Sequence, residues 1–157
     1  MKNIIRILLV VAICVGGFAI YSYNRGLTEN TNIGVEENNP LFIHFKNQLS
    51  EKKPVKAGYE DVNNDTIPDL LVVYRDDVED KNFMAVILDF DGEYHITEPV
   101  PAPYENVEIQ YKNIDDVDEM EFIVSGSRDG NYGYAIFRVT EDLEIRDLFS
   151  EDMDDCC

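Results

Sequence analysis

The chain has 157 residues, with 32 Asp and Glu against 13 Lys and Arg, a net charge of −19. So acidic a protein is repelled by nucleic acid and by anionic lipid head groups, which excludes a nucleic-acid-binding role. Its three cysteines, Cys14, Cys156 and Cys157, offer no spacing for an intradomain disulfide framework, so packing alone must hold the core.

The first 25 residues carry Lys2, Arg6 and Arg25 and no acid, leaving the remainder with all 32 acids against 10 bases, a net −22. Ile7 to Tyr23 runs without a charge. At about 1.5 Å per residue this stretch reaches about 26 Å, the short end of a membrane-spanning helix. Lys2 and Arg6 precede it, which keeps the N-terminus in the cytoplasm and exports the rest. Residues 1–25 are therefore expected to be a signal-anchor of a single-pass cell-membrane protein with an extracytoplasmic C-terminal domain. Two rival readings exist: cleavage after the small residues Gly17 and Ala19, and lipidation at Cys14, where Ile13 is bulkier than such sites favour. All three place the acidic domain outside the cytoplasm.

Residues 26–39 are rich in Asn, Thr and Glu and are expected to be a flexible linker. The exported domain is expected over 40–150. Pro40 after an Asn-Asn pair suits the first turn of a helix, whose apolar face is Leu41, Phe42, Phe45 and Leu49 and which ends before Pro54. His44 has no partner at helical spacing and reads as a surface or half-buried helix residue. The period then becomes two. Strands are expected at Val55–Glu60, Leu70–Tyr74, Phe83–Phe90 and Glu93–Thr97, with Asp76–Asn82 a hairpin loop and Asp91-Gly92 a tight turn. His95, in the fourth strand, reads as structural or surface. Pro99, Pro101 and Pro103 are expected to break any ladder and mark a junction.

A second unit follows the same plan. Strands are expected at Val107–Tyr111, Glu121–Ser125 and Tyr134–Val139, with Ser127–Gly133 a hairpin loop and Leu143–Leu148 closing the unit. Asn113, Asp115 and Glu121 stand where the first unit has Asp61, Asn63 and Asp69. A period near fifty with four short strands is the spacing of propeller blades, and two blades cannot close a propeller. The expected fold class is mainly β: two internally repeated, propeller-blade-like antiparallel units, packed as a small sandwich or open barrel, with one N-terminal helix covering an edge or open end.

Asp61, Asn63, Asp65 and Asp69 have the spacing D-x-N-x-D-x-x-x-D. Over these nine residues the chain resembles the calcium loops of FG-GAP and EF-hand-like repeats, in which such oxygens ring a hard cation. Thr66 replaces the usual glycine, Val72 stands where a bidentate Glu is usual, and Val117 replaces the Asp65 equivalent in the second copy. The competing reading is a turn whose Asx side chains bond their own backbone. Calcium binding here would make the protein a calcium-dependent extracytoplasmic interaction module.

The chain ends in Glu151-Asp152-Met153-Asp154-Asp155-Cys156-Cys157, and this composition predicts a mobile acidic tail over 151–157. Adjacent Cα atoms lie about 3.8 Å apart across a trans peptide. Unstrained disulfides want at least about 4.4 Å. A bridge between Cys156 and Cys157 is thus strained, and both thiols remain available to chelate one soft, thiophilic centre such as mercury or trivalent arsenic. The neighbouring carboxylates disfavour the thiolates but attract a cation, and a soft metal displaces the thiol protons itself. The bland alternatives are a redox tail, an intermolecular disulfide, or no role.

The apolar anchor, the exported acidic β-type domain and the final Cys156-Cys157 together resemble the Cys-Cys-COOH (seleno)protein family called SaoC, of the proposed selenocysteine-assisted organometal system. In that family one terminal cysteine can be selenocysteine; this chain has sulfur at both. The resemblance implies an envelope accessory protein that acts beside a transporter and a lyase in the uptake or processing of organomercury-like or other soft-metal compounds. No Ser-His-Asp or Cys-His arrangement and no Gly-rich phosphate loop is present, so no enzyme activity is expected apart from a possible thiol redox role for the pair.

Overall fold

The computed structural model describes residues 33–115 and 119–148. The expected anchor over 1–25, Cys14, Val117 and the tail with Cys156 and Cys157 lie outside those residues. Among the described residues no helix is long and apolar enough to cross a membrane. The domain is mainly β, with two antiparallel sheets of five and four strands and one short helix.

Helix α1 spans Pro40–Gln48. Asn39 caps it, its side chain accepting from the Phe42 N–H at 3.1 Å, and Pro40 takes the first turn, where its missing N–H costs nothing. Leu41, Phe42 and Phe45 are buried, as their spacing predicts. The strands are β1 Lys53–Glu60, β2 Asp69–Asp76, β3 Lys81–Phe90, β4 Glu93–Ile96, β5 Val100–Ala102, β6 Glu105–Tyr111, β7 Phe122–Arg128, β8 Asn131–Val139 and β9 Ile145–Asp147. In the first sheet β1-β2-β3-β4 lie side by side, and β5 also pairs with β3; in the second the order is β6-β7-β8-β9.

Burial explains why β2 and β3 are continuous apolar runs. Leu70, Val72, Tyr74, Ala85 and Ile87 pack with Leu41, Phe42 and Phe45 of α1. Leu71, Val73, Met84, Val86 and Leu88 pack with Phe122, Val124, Phe137 and Val139 of the second sheet. The first sheet is thus covered on both faces, and alternate residues serve different cores.

Three expectations need correction. Pro99, Pro101 and Pro103 do not end pairing: β5 lies between them, with Pro101 opposite Phe83. β4 covers only Ile87–Phe90 of β3, so the Asn82–Met84 stretch takes another strand, and a short edge strand tolerates a proline whose missing donor faces away. The Ser127–Gly133 loop is instead strand on both sides of a two-residue turn. Asp129 (φ 53) and Gly130 (φ 81) turn left-handed there, as Asp91 (φ 56) and Gly92 (φ 93) do in the first sheet. Finally, the linker read over 26–39 has its described part, 33–39, in the fold. Ile33 is 7% exposed, its carbonyl accepts from the Ala57 N–H, and it joins the α1 core.

β1 and β6 meet where Gly58 passes Tyr111. A Cβ at position 58 would lie 2.6 Å from the Tyr111 hydroxyl oxygen and 2.9 Å from Cε2. That hydroxyl is buried without a hydrogen-bond partner among the described residues, and burial raises its pKa. Gly58→Ala is therefore expected to destabilise the domain by about 1–3 kcal/mol through overpacking, read as a lower urea midpoint. Tyr111→Phe, which removes only the unpartnered hydroxyl, is expected to leave the midpoint unchanged or raise it. An unaltered midpoint for Gly58→Ala would contradict this packing.

Candidate functional site

The first acidic loop joins β1 to β2. Asp61 turns one carboxylate oxygen to the Asp65 N–H (3.2 Å) and the other to the Thr66 N–H (2.8 Å). The Asn63 side-chain oxygen also accepts from Asp65 N–H (3.1 Å), while its amide donates to the Asp65 carboxylate (3.0 Å). Asp65 in turn accepts from Ile67 N–H at 2.8 Å. These are Asx turns that spend the oxygens on the loop's own backbone. Asn64 (φ 59) and Thr66 (φ 73) are left-handed. The conformation that calcium loops assign to glycine is thus held here by a β-branched residue.

Asp69 is separate from this group. It is 1% exposed and accepts from the Val62 N–H (3.1 Å) and, across β3, from the Asp89 N–H (2.9 Å). Burial raises its pKa to about 6, and the Asp65 and Asp61 charges push the same way against the two backbone hydrogen bonds. Its chemistry is that of a buried tie between loop and sheet. Asp61, Asn63 and Asp65 are linked through hydrogen bonds within the loop, whereas Asp69 is buried and bonded to the Val62 and Asp89 N–H groups.

The second loop repeats the tie. Glu121 is 1% exposed and accepts from the Ile114 N–H at 2.8 Å, seven residues back, as Asp69 does from Val62. Its other oxygen bonds the Arg138 guanidinium, which also reaches Asp115 (2.6 Å) and Glu119 (3.8 Å). Because Phe122 pairs with Phe137 as Leu70 pairs with Ile87, Arg138 stands where the first sheet has Leu88. One unit closes this position with a core leucine, the other with a guanidinium among three carboxylates. Arg138 escapes a reading for motifs; its signal is a single charge within the apolar run Tyr134–Val139, at a position where the other unit is apolar.

A cleft of about 270 Å³ lies between Asn63 and Asp65 on one side and Glu119, Thr140, Glu141 and Leu143 on the other. Among the described residues no three His, Cys, Asp or Glu side chains converge as a metal cage. A larger cavity of about 470 Å³ opens between α1 and β4, bordered by His44, Tyr74, Tyr94 and Glu98. His44 is half-buried, its ring edge-on to Tyr94 with centroids 5.3 Å apart. His95 is exposed, pairs with Leu88 across β3 and β4, and borders the same cavity as His44. Cys156 and Cys157 lie outside the described residues, and the body from Ile33 to Leu148 contains no cysteine.

No family model, curated protein or solved structure matches this chain.

Proposed function

We propose that this protein is a membrane-anchored, exported accessory protein that captures a soft metal or organometal through the vicinal thiols of Cys156 and Cys157 and hands it on. The single observation that carries the reading is the adjacent cysteine pair itself, too close to bridge without strain, on a domain that contributes no other thiol. The resemblance to SaoC supports it and points to a transporter or lyase as the receiving partner. The domain would then be a scaffold of two propeller-blade-like repeats stacked as a small sandwich. Its carboxylates draw cations towards it, while its own loops keep Asp61, Asn63, Asp65 and Asp69 engaged in holding the backbone.

A trivalent arylarsenical tests the reading, because it needs two thiols: two S–H bonds are exchanged for two As–S bonds with loss of water from the arsenic oxide. In the full chain with Cys14→Ser, one tight equivalent is expected. Either Cys156→Ser or Cys157→Ser is expected to weaken binding at least a hundredfold, since a monothiol loses the chelate. Equal affinity in all three proteins would reject the site.

A further inference from the structure

The cavity between α1 and β4 takes no part in the chemistry proposed for Cys156 and Cys157. Its volume of about 470 Å³ suits a small organic molecule, whose sites usually span about 300–1,000 Å³. Leu49, Ala85 and Ile96 supply apolar wall, and Tyr74 and Tyr94 supply aromatic rings. Tyr74 is braced by Phe45 and Phe83, with centroids 5.6 and 6.3 Å away. Tyr94 is half-buried and meets His44 at 69°, a contact that takes up at most one face of its ring.

The charged groups around the cavity have one sign. Glu98 is an exposed carboxylate on its border, and no Lys or Arg lines it. Gln48, the last residue of α1, and the C-cap Leu49 also line it, which brings the negative end of the helix dipole there. Lys46, the base in the last turn of α1, is paired with Glu37 at 2.6 Å and lies over the Phe42 ring.

We propose that this cavity binds a small organic cation of the quaternary-ammonium type, with its charge between Tyr94 and Glu98 and its alkyl groups against the apolar wall. Aromatic faces attract such cations, and the acidic body gathers them from solution. An anion of the same size meets no base in the wall. A bare metal ion fits less well, since among the described residues no three His, Cys, Asp or Glu side chains converge. His44, His95 and Gln48 offer hydrogen-bonding groups to a polar end of the ligand. The proposal stands independently of the dithiol.

Titration of the full chain with choline tests it, followed by backbone amide shifts at a pH above the ordinary imidazole range. Saturable shifts are expected at Gln48, Tyr94 and Ile96, with Val124 in β7 unmoved. The neutral isostere 3,3-dimethylbutan-1-ol is expected to bind about tenfold more weakly, since it keeps the shape and loses the charge. Tyr94→Leu and Glu98→Gln should each weaken choline binding by about the same factor. Glu98 is exposed, so its variant keeps the test decisive even if Tyr94→Leu does not fold. No saturable shift at millimolar choline would overturn the proposal. So would equal binding of the alcohol, which would make the cavity merely apolar. Shifts scattered over the acidic surface and indifferent to Glu98→Gln would do the same.

Discussion

Arg138→Met is expected to destabilise the domain by about 3–5 kcal/mol, the cost of stranding a buried charge. Glu121 is 1% exposed, and without the guanidinium its carboxylate keeps, among the described residues, the Ile114 N–H. Asp115 and Glu119 lose the same cation. The loss is specific to the ionised partner. Adding Glu121→Gln, which still accepts from Ile114 but carries no charge, is expected to recover more than half of it, because the first unit fills the same position with Leu88. Urea midpoints for the two single variants and the double close the cycle. A drop below 1 kcal/mol for Arg138→Met would show the cluster to be a screened surface pair.

The second large effect is a fall in stability as pH rises. Asp69 has a folded-state pKa near 6 against an ordinary value of 3.8, with burial the main cause. The folded form therefore binds the proton more tightly than the unfolded chain. Asp69 is neutral in both states below about pH 4, and its ionisation in the fold becomes a cost as pH rises from about 4 to about 6. At about 1.4 kcal/mol per pH unit the penalty at neutral pH reaches about 3 kcal/mol. Asp76 acts with the opposite sign. Its hydrogen bond from Lys52 lowers its pKa, so its contribution is present above the ordinary carboxylate range and is lost in acid. Asp69→Asn isolates the first effect. Asparagine gives up one of the two N–H contacts at every pH, so the variant is offset, but its stability between pH 4 and pH 7 should fall less than that of the natural chain by about 2–3 kcal/mol. Parallel pH profiles for the two would contradict a raised pKa at Asp69.

Much of the fold was readable because single positions had one physical explanation. The apolar runs at Leu70–Tyr74 and Phe83–Leu88 are long and continuous because both faces of that sheet are covered, and the Asn39-Pro40 cap marks α1 without ambiguity. The loop ties at Asp69 and Glu121 are the same kind of contact, each made with the N–H of the residue seven positions earlier. What escaped depended on partners distant in sequence. β5 is a strand only because β4 leaves part of β3 uncovered, which three alternate prolines conceal. Asp129-Gly130 is the same turn signal as Asp91-Gly92, hidden by the exposed, weakly patterned flanks of β7 and β8. Ile33 reads as linker because its polar neighbours dominate the composition, yet its side chain completes a core. At the acidic loop the spacing suggested a ring of four oxygens, but Asp69 is claimed by the sheet, a distinction of burial that spacing alone does not carry.

Sulfur coordination of mercury tests the dithiol reading most directly. X-ray absorption on the full chain, reduced, with Cys14→Ser and loaded with one equivalent of mercuric ion, should show two sulfur neighbours on each mercury, falling to one when either Cys156 or Cys157 is serine. A spectrum with oxygen or nitrogen as the main neighbours, or one unchanged by those substitutions, would mean that the adjacent thiols do not form the binding site.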